Sequence, residues 1–284
     1  MKTSRRKSLL ISSVSMLLVA GVSLGTATFA WFTSSTSTKT SNLQFRTTKS
    51  STLEISKSDG AWTSSGLDYG LTAKKLLLPA SSLAGSKDPA KWFTANAVST
   101  LDGGALKGTA KALSAGDVSN YVFMEQLNVR NAGDVAVEDV VIKFSLSNAT
   151  AYDYLRVAVV EASGLKGADK TGVFASSVYA NNATAYKPIS AVSGAGDTQT
   201  ITAATDLTPI DAATTVSIPV GDLAPADKEG DVIKDFDGKY YNLYIWFEGQ
   251  DPDCKDANAG AEIPNIEFTV EGVTATETET TVAP

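Results

Sequence analysis

Apolar and polar residues alternate along much of this chain with a period of two. Val140, Ile142, Phe144 and Leu146 interleave with Val141, Lys143, Ser145 and Ser147. A single extended segment therefore carries one wholly apolar face and one mixed face, the pattern of a half-buried strand. Leu155, Val157 and Val159 continue it, Val216, Ile218 and Val220 repeat it around Pro219, and Ile266, Phe268 and Val270 alternate with Glu267, Thr269 and Glu271. Proline has no amide hydrogen to give a neighbour, so the Pro219 strand is expected at a sheet edge. The stretch Lys239 to Glu248 differs: Tyr241, Leu243, Ile245 and Phe247 fall on one face, and Tyr240, Tyr244 and Trp246 on the other. Two apolar faces predict a central strand covered on both sides.

Weaker signals fill in the rest. Leu43 to Thr47, Leu53 to Lys57 and Val122 to Arg130 read as strands, with turns at Ser58-Asp59-Gly60 and at Asn131-Ala-Gly-Asp134, where Asn and Gly tolerate positive φ. Residues 164–214 are rich in Ala, Ser, Thr, Gly and Asn, and read as loops joining short strands at Val173 to Tyr179 and Gln199 to Thr202. Residues 66–116 lack the alternation. Asp88-Pro89 has the form of a helix start and Ala90 to Ala97 the length of two turns, so short helices or irregular segments are expected there. The predicted fold is mainly β: an antiparallel β-sandwich of jelly-roll or immunoglobulin-like type spanning 31–273, carrying a loop and short-helix insertion at 66–116. Residues 274–284 form a Thr/Glu tail too poor in apolar side chains to pack, and are expected to be disordered.

The first thirty residues set the compartment. Lys2, Arg5, Arg6 and Lys7 precede the apolar run Leu9 to Leu24, and small residues close it at Gly25-Thr-Ala-Thr-Phe-Ala30. This is the layout of a secretory signal, with cleavage expected between Ala30 and Trp31 and signal peptidase as a partner during export. The competing arrangement is an uncleaved anchor, because the apolar stretch approaches bilayer length; its serines and the small-residue site favour cleavage. The mature protein is then secreted or held at the cell surface. Removing the four basic residues takes the net charge from −7 to about −11. No basic face remains to meet a nucleic acid.

The chain has no histidine and a single cysteine, Cys254. Ser-His-Asp and Cys-His nucleophile systems, His-based and four-Cys zinc sites and an intramolecular disulfide are all excluded together. Asp251, Asp253, Asp256 and Asn258 place oxygen ligands at nearly alternate positions, a candidate Ca²⁺ loop. The central Gly and distal Glu of an EF-hand are missing at the required offsets, which favours a polar connection whose side chains cap turns. Cys254 either links subunits or is buried, and burial is the commoner state of a free cysteine. Glu125, Glu138, Asp139 and Glu161 are numerous enough to contain a glycosidase pair, but acidic residues in this number ordinarily form a solvated face. Tyr240, Tyr244 and Trp246 either stack on sugar rings or fill a core.

Three segments resemble a known group. Gly25-Thr-Ala-Thr-Phe-Ala-Trp-Phe-Thr33 looks like the signals processed by the SipW type of signal peptidase in Gram-positive bacteria. Leu127-Asn-Val-Arg-Asn-Ala-Gly-Asp-Val-Ala-Val-Glu-Asp-Val-Val-Ile-Lys-Phe144 is similar to the strand, turn and strand unit of the TasA and camelysin family of biofilm-matrix proteins. Ile245-Trp-Phe-Glu-Gly-Gln-Asp-Pro-Asp-Cys254 resembles a segment of exported Firmicutes proteins with similar signals. The resemblance implies a jelly-roll-like exported protein that assembles into surface or matrix fibres; the insertion at 66–116 is a departure from it.

The expected function is accordingly structural and non-enzymatic, at the cell surface or in the extracellular matrix, with self-association as the expected partnership and no cofactor. The alternative is a surface polysaccharide-binding or adhesion module using exposed aromatics. After cleavage, Trp31 to Phe45 is an extended N-terminus with β-branched threonines and apolar anchors at Trp31, Phe32, Leu43 and Phe45. Such a strand satisfies the unpaired groups of a sheet edge, either on the next subunit, giving a head-to-tail filament, or within its own domain.

Overall fold

The computed structural model describes residues 44–48, 52–64, 66–69, 77–82, 91–102, 105–114, 116–147, 153–170, 177–181, 189–193, 199–203, 209–249, 251, 254 and 266–275. The signal at 1–30 and the tail from 276 onward lie outside them. In chain order the strands are β1 (Gln44–Thr48), β2 (Leu53–Ser56), β3 (Leu67–Asp68), β4 (Ser81–Ser82), β5 (Trp92–Asp102), β6 (Ala105–Ala112), β7 (Val122–Asn131), β8 (Val137–Phe144) and β9 (Leu155–Glu161). They continue with β10 (Val178–Ala180), β11 (Ile189–Ser193), β12 (Gln199–Ala203), β13 (Ile210–Asp211), β14 (Val216–Leu223), β15 (Asp227–Glu229), β16 (Val232–Asp235), β17 (Gly238–Phe247) and β18 (Glu267–Thr274).

Two sheets form the sandwich. One runs β14-β8-β18-β1-β3 and the other β13-β10-β9-β17-β7-β2. The alternating apolar residues of both meet between them: Val140, Ile142 and Phe144 of β8 and Phe268 and Val270 of β18 face Leu155, Val157 and Val159 of β9 and Leu243, Ile245 and Phe247 of β17 in one cluster. Phe144 and Phe268 stack with ring centroids 4.6 Å apart. The edge position expected for the Pro219 strand is observed, since β14 is the outermost strand of its sheet. Among the described strands pairing is antiparallel except at β1 with β18 and β10 with β13, which are parallel, as is the isolated bridge between Ala80 and Glu248.

The turn after β7 works differently from expectation. Neither Asn131 nor Gly133 has positive φ. Asn131 accepts the Gly133 N–H at 2.9 Å and donates to the Val135 and Ala224 carbonyls, tying the turn to the segment after β14. Gly133 is required by space: a Cβ there would stand 2.5 Å from Thr52 Cγ2. Further along, Asp139 (φ 51) and Gly221 (φ 91) mark irregular pairing between β8 and β14, and the β18 register shifts between Glu271 and Val273.

The insertion corrects the expectation of short helices. Trp92 to Asp102 is a strand, not the continuation of a helix from Ala90 to Ala97; it pairs with Ala105 to Ala112, and both join β4, β11 and β12 in a third sheet, β11-β12-β6-β5-β4. The cause is legible afterwards: Trp92, Thr94, Val98 and Thr100 are aromatic or β-branched, and Gly103-Gly104 between paired Asp102 and Ala105 is a two-residue hairpin signal. This insertion covers the outer face of the six-stranded sheet. Ala80, Trp92, Leu113 and Val118 pack there on Val122, Ala158, Val160, Val178, Tyr244 and Trp246, a second apolar cluster. β17 is thus covered on both faces from Leu243 to Phe247.

Candidate functional site

The N-terminal strand has a defined slot. β1 lies between β18 and β3, with Phe45 opposite Phe268 on one side and Leu67 on the other. Phe268 is fully buried, and Leu67 is half-buried against the core. Of the four anchors read from the sequence, the structure places Phe45, within its own domain. Trp31, Phe32 and Leu43, and the cleavage point between Ala30 and Trp31, lie outside the described residues.

The loop offered as a Ca²⁺ site is anchored by an ion pair. Asp251 Oδ2 accepts from Arg156 Nη2 at 2.6 Å, with the Arg156 side chain fully buried and that of Asp251 nearly so. Buried Glu248 accepts the indole N–H of Trp246 at 3.1 Å. Asp253 and Asp256 lie outside the described residues. Cys254 is buried beside this group, its N–H donating to the Asp251 carbonyl. Burial, then the charges of Asp251 and Glu248, push its thiol well up, against the opposing effect of Arg156. A thiol so held stays protonated and is a poor nucleophile. Arg156 escaped the sequence reading; its only signal is a lone cation inside the apolar run Leu155 to Val160.

The carboxylates considered for catalysis do not converge. Glu138 and Asp139 stand exposed on β8, while Glu125 and Glu161 belong to the other sheet, where Glu161 pairs with Lys170. The aromatics considered for sugar stacking are also redistributed. Trp246 meets Trp92 edge to face and is fully buried, Tyr244 is 6% exposed beneath the insertion, and only Tyr240 is partly accessible. Stacking on a ligand by Trp246 is overturned by that cover.

Where the insertion stops, the outer face of the same sheet turns polar and holds a cleft of about 350 Å³. Its floor is a cross-strand amide pair: Gln126 of β7 lies opposite Asn242 of β17 and donates to its Oδ1 at 3.2 Å. Gln126 also donates to the Gly164 carbonyl and accepts the Lys166 N–H at 2.8 Å. Asn242 donates to the Gly167 carbonyl and to Asp169 Oδ1, and the Tyr244 hydroxyl donates to Asp169 Oδ2 at 2.6 Å. These bonds fix the loop 163–169 as one wall, with Lys166 at φ 55. Ser58, Met124, Glu125, Leu243 and Tyr244 complete the lining.

In comparisons with protein-family models, with curated proteins and with solved structures, nothing matches this chain.

Proposed function

We propose that this protein is an exported, non-enzymatic structural component of the cell surface or extracellular matrix that assembles by exchange of its N-terminal strand. The observation that supports this most directly is the parallel pairing of β1 with β18. β1 contributes five residues at the chain's N-terminal side and, among the described residues, is joined to its sheet through β18 and β3. A short terminal strand that fills a slot in its own domain fills the same slot in an identical copy at little cost, because the contacts are the same in both. When each copy gives its strand to the next, the contact is heterologous and grows as a filament. The signal layout at 1–30 and the segmental likeness to SipW-processed matrix proteins support the extracellular setting. The anchored ion pair at Asp251 and the dispersed carboxylates agree with a framework role.

The test uses the register. Arg46 lies opposite Thr269 across the β1–β18 pair. One mature chain carrying Arg46→Cys and another carrying Thr269→Cys, both in a Cys254→Ser background, are mixed under assembly conditions and oxidised. Strand exchange gives disulfide-linked heterodimers between the two chains. A mixture that stays monomeric, while the Arg46→Cys/Thr269→Cys double variant cross-links only within itself, removes the proposal.

A further inference from the structure

We infer that the cleft floored by Gln126 and Asn242 is a binding site for a sugar residue of a glycan. The hydrogen-bond inventory of the floor leads there. Each side-chain amide has two N–H donors, and both donors of Gln126 and both of Asn242 are spent within the protein. What remains to these two groups is acceptor capacity, the second lone pair on Gln126 Oε1 and on Asn242 Oδ1. Around it, among the described residues, the side chains of Ser58 and Lys166 make no hydrogen bond or ion pair within the chain. The lining thus offers a fixed amide floor, a hydroxyl and an ammonium as donors, and apolar surface from Met124 with the Tyr244 ring beside it.

A polyol matches this set, because each sugar hydroxyl both donates and accepts while the ring carbons present apolar faces. A cation is opposed by Lys166, and a purely apolar ligand by the polar floor. An extended peptide adding itself as a strand is also excluded, since β7 and β17 are interior strands whose edges are paired on both sides. The floor is pre-organised, with Gln126 only 3% exposed and every polar contact that fixes it internal, so binding requires little ordering of the site. Lys166, one of two described non-glycine residues with positive φ, stands at the wall of this cleft. Backbone strain of that kind persists where the surroundings hold it, and it gathers at binding sites. The volume lies near the lower end of ligand cavities, roughly 300 to 1,000 Å³.

The test is a titration of the isotope-labelled mature protein with cellotriose and with the trisaccharide of N-acetylglucosamine, following the side-chain amide resonances of Gln126 and Asn242. Saturable shifts of those resonances are expected with at least one sugar, and Lys166→Met and Ser58→Ala are each expected to weaken binding about tenfold with the thermal midpoint preserved. No saturable shift with either sugar overturns the inference. So does binding that both variants leave unchanged, which puts the sugar elsewhere; if Lys166→Met fails to fold, Ser58→Ala alone decides. The β1 slot lies in the other sheet, so the result is independent of strand exchange.

Discussion

Trp92 and Trp246 meet edge to face with ring centroids 5.3 Å apart and planes at 80°, both fully buried. One ring belongs to the insertion and the other to the central strand of the sandwich, so this contact is where the two parts share a core. Trp246→Ala is expected to cost about 3 to 5 kcal/mol. Trp92→Ala in the same background is expected to add less than its cost alone, because the partner ring has already gone. A double-mutant cycle by urea unfolding measures the difference; strictly additive costs mean the rings do not couple.

Arg156 and Asp251 form a fully enclosed ion pair. Removing one partner strands the other charge without water, so Asp251→Asn and Arg156→Met are each expected to destabilise by about 3 to 5 kcal/mol. An apolar replacement of both, Arg156→Met with Asp251→Leu, is expected to recover most of that loss. Since the Asp251 carboxylate is already neutralised by Arg156, added Ca²⁺ is expected to leave the unfolding midpoint unchanged. A rise that disappears in Asp253→Ala would assign the ion to that loop.

Alkaline pH is expected to unfold this protein in a definite window. Burial pushes the Tyr244 phenol up to about 12, and burial together with Glu161 does the same for Tyr241. In the folded state both hold their protons where the unfolded chain, with tyrosine near 10, releases them. The folded state then binds more protons, so their contribution is intact below pH 10 and is lost as pH rises toward 12. Urea midpoints measured across this range are expected to fall, and to fall less steeply in Tyr244→Phe.

Phe268 stacks on Phe144 in the sandwich core and lies opposite Phe45 of β1. Phe268→Ala is expected to cost about 3 to 5 kcal/mol. Gly272, four residues on, is closed in differently: a Cβ there would sit 2.6 Å from Val137 Cγ1 and 2.9 Å from Val140 Cγ2. Gly272→Ala is therefore expected to cost about 1 to 3 kcal/mol by overpacking. Thermal unfolding of both variants checks the pair of values; an unchanged midpoint in either removes that residue from the core.

The sandwich was legible because its strands carry strict alternation. Phe144, Phe247 and Phe268 fall on predicted apolar faces and meet in one core, and the doubly apolar β17 announced its two covers. The nature of the second cover was not legible. β5 follows a helix-start signal at Asp88-Pro89, while its strand character depends on pairing with β4 and β6, and β6 is in turn paired with β12, more than eighty residues downstream. Local propensity is silent about partners that distant. The same limit hid Arg156, whose counter-ion lies on a loop far along the chain, and the Gln126–Asn242 pair, which exists only through the register of β7 against β17. Tyr244 and Trp246 were weighed for ligand stacking because alternation reveals which residues share a face, but not what lies over that face.

The pairing of Gln44 with Glu267 and of Thr48 with Glu271 also imposes an order of events. If the chain is exported as proposed, β1 emerges first and β18 nearly last, so β1 waits through almost the whole passage before the β18 side of its slot exists. During that interval its backbone groups are unsatisfied, while any neighbouring chain that has already finished folding, and whose slot stands open, offers what β1 needs. Strand exchange is then favoured by crowding at the export site and by slow passage, whereas dilute refolding of the complete chain favours the closed monomer. Under the proposed strand exchange, the same sequence would give two products according to how quickly its two ends are brought together.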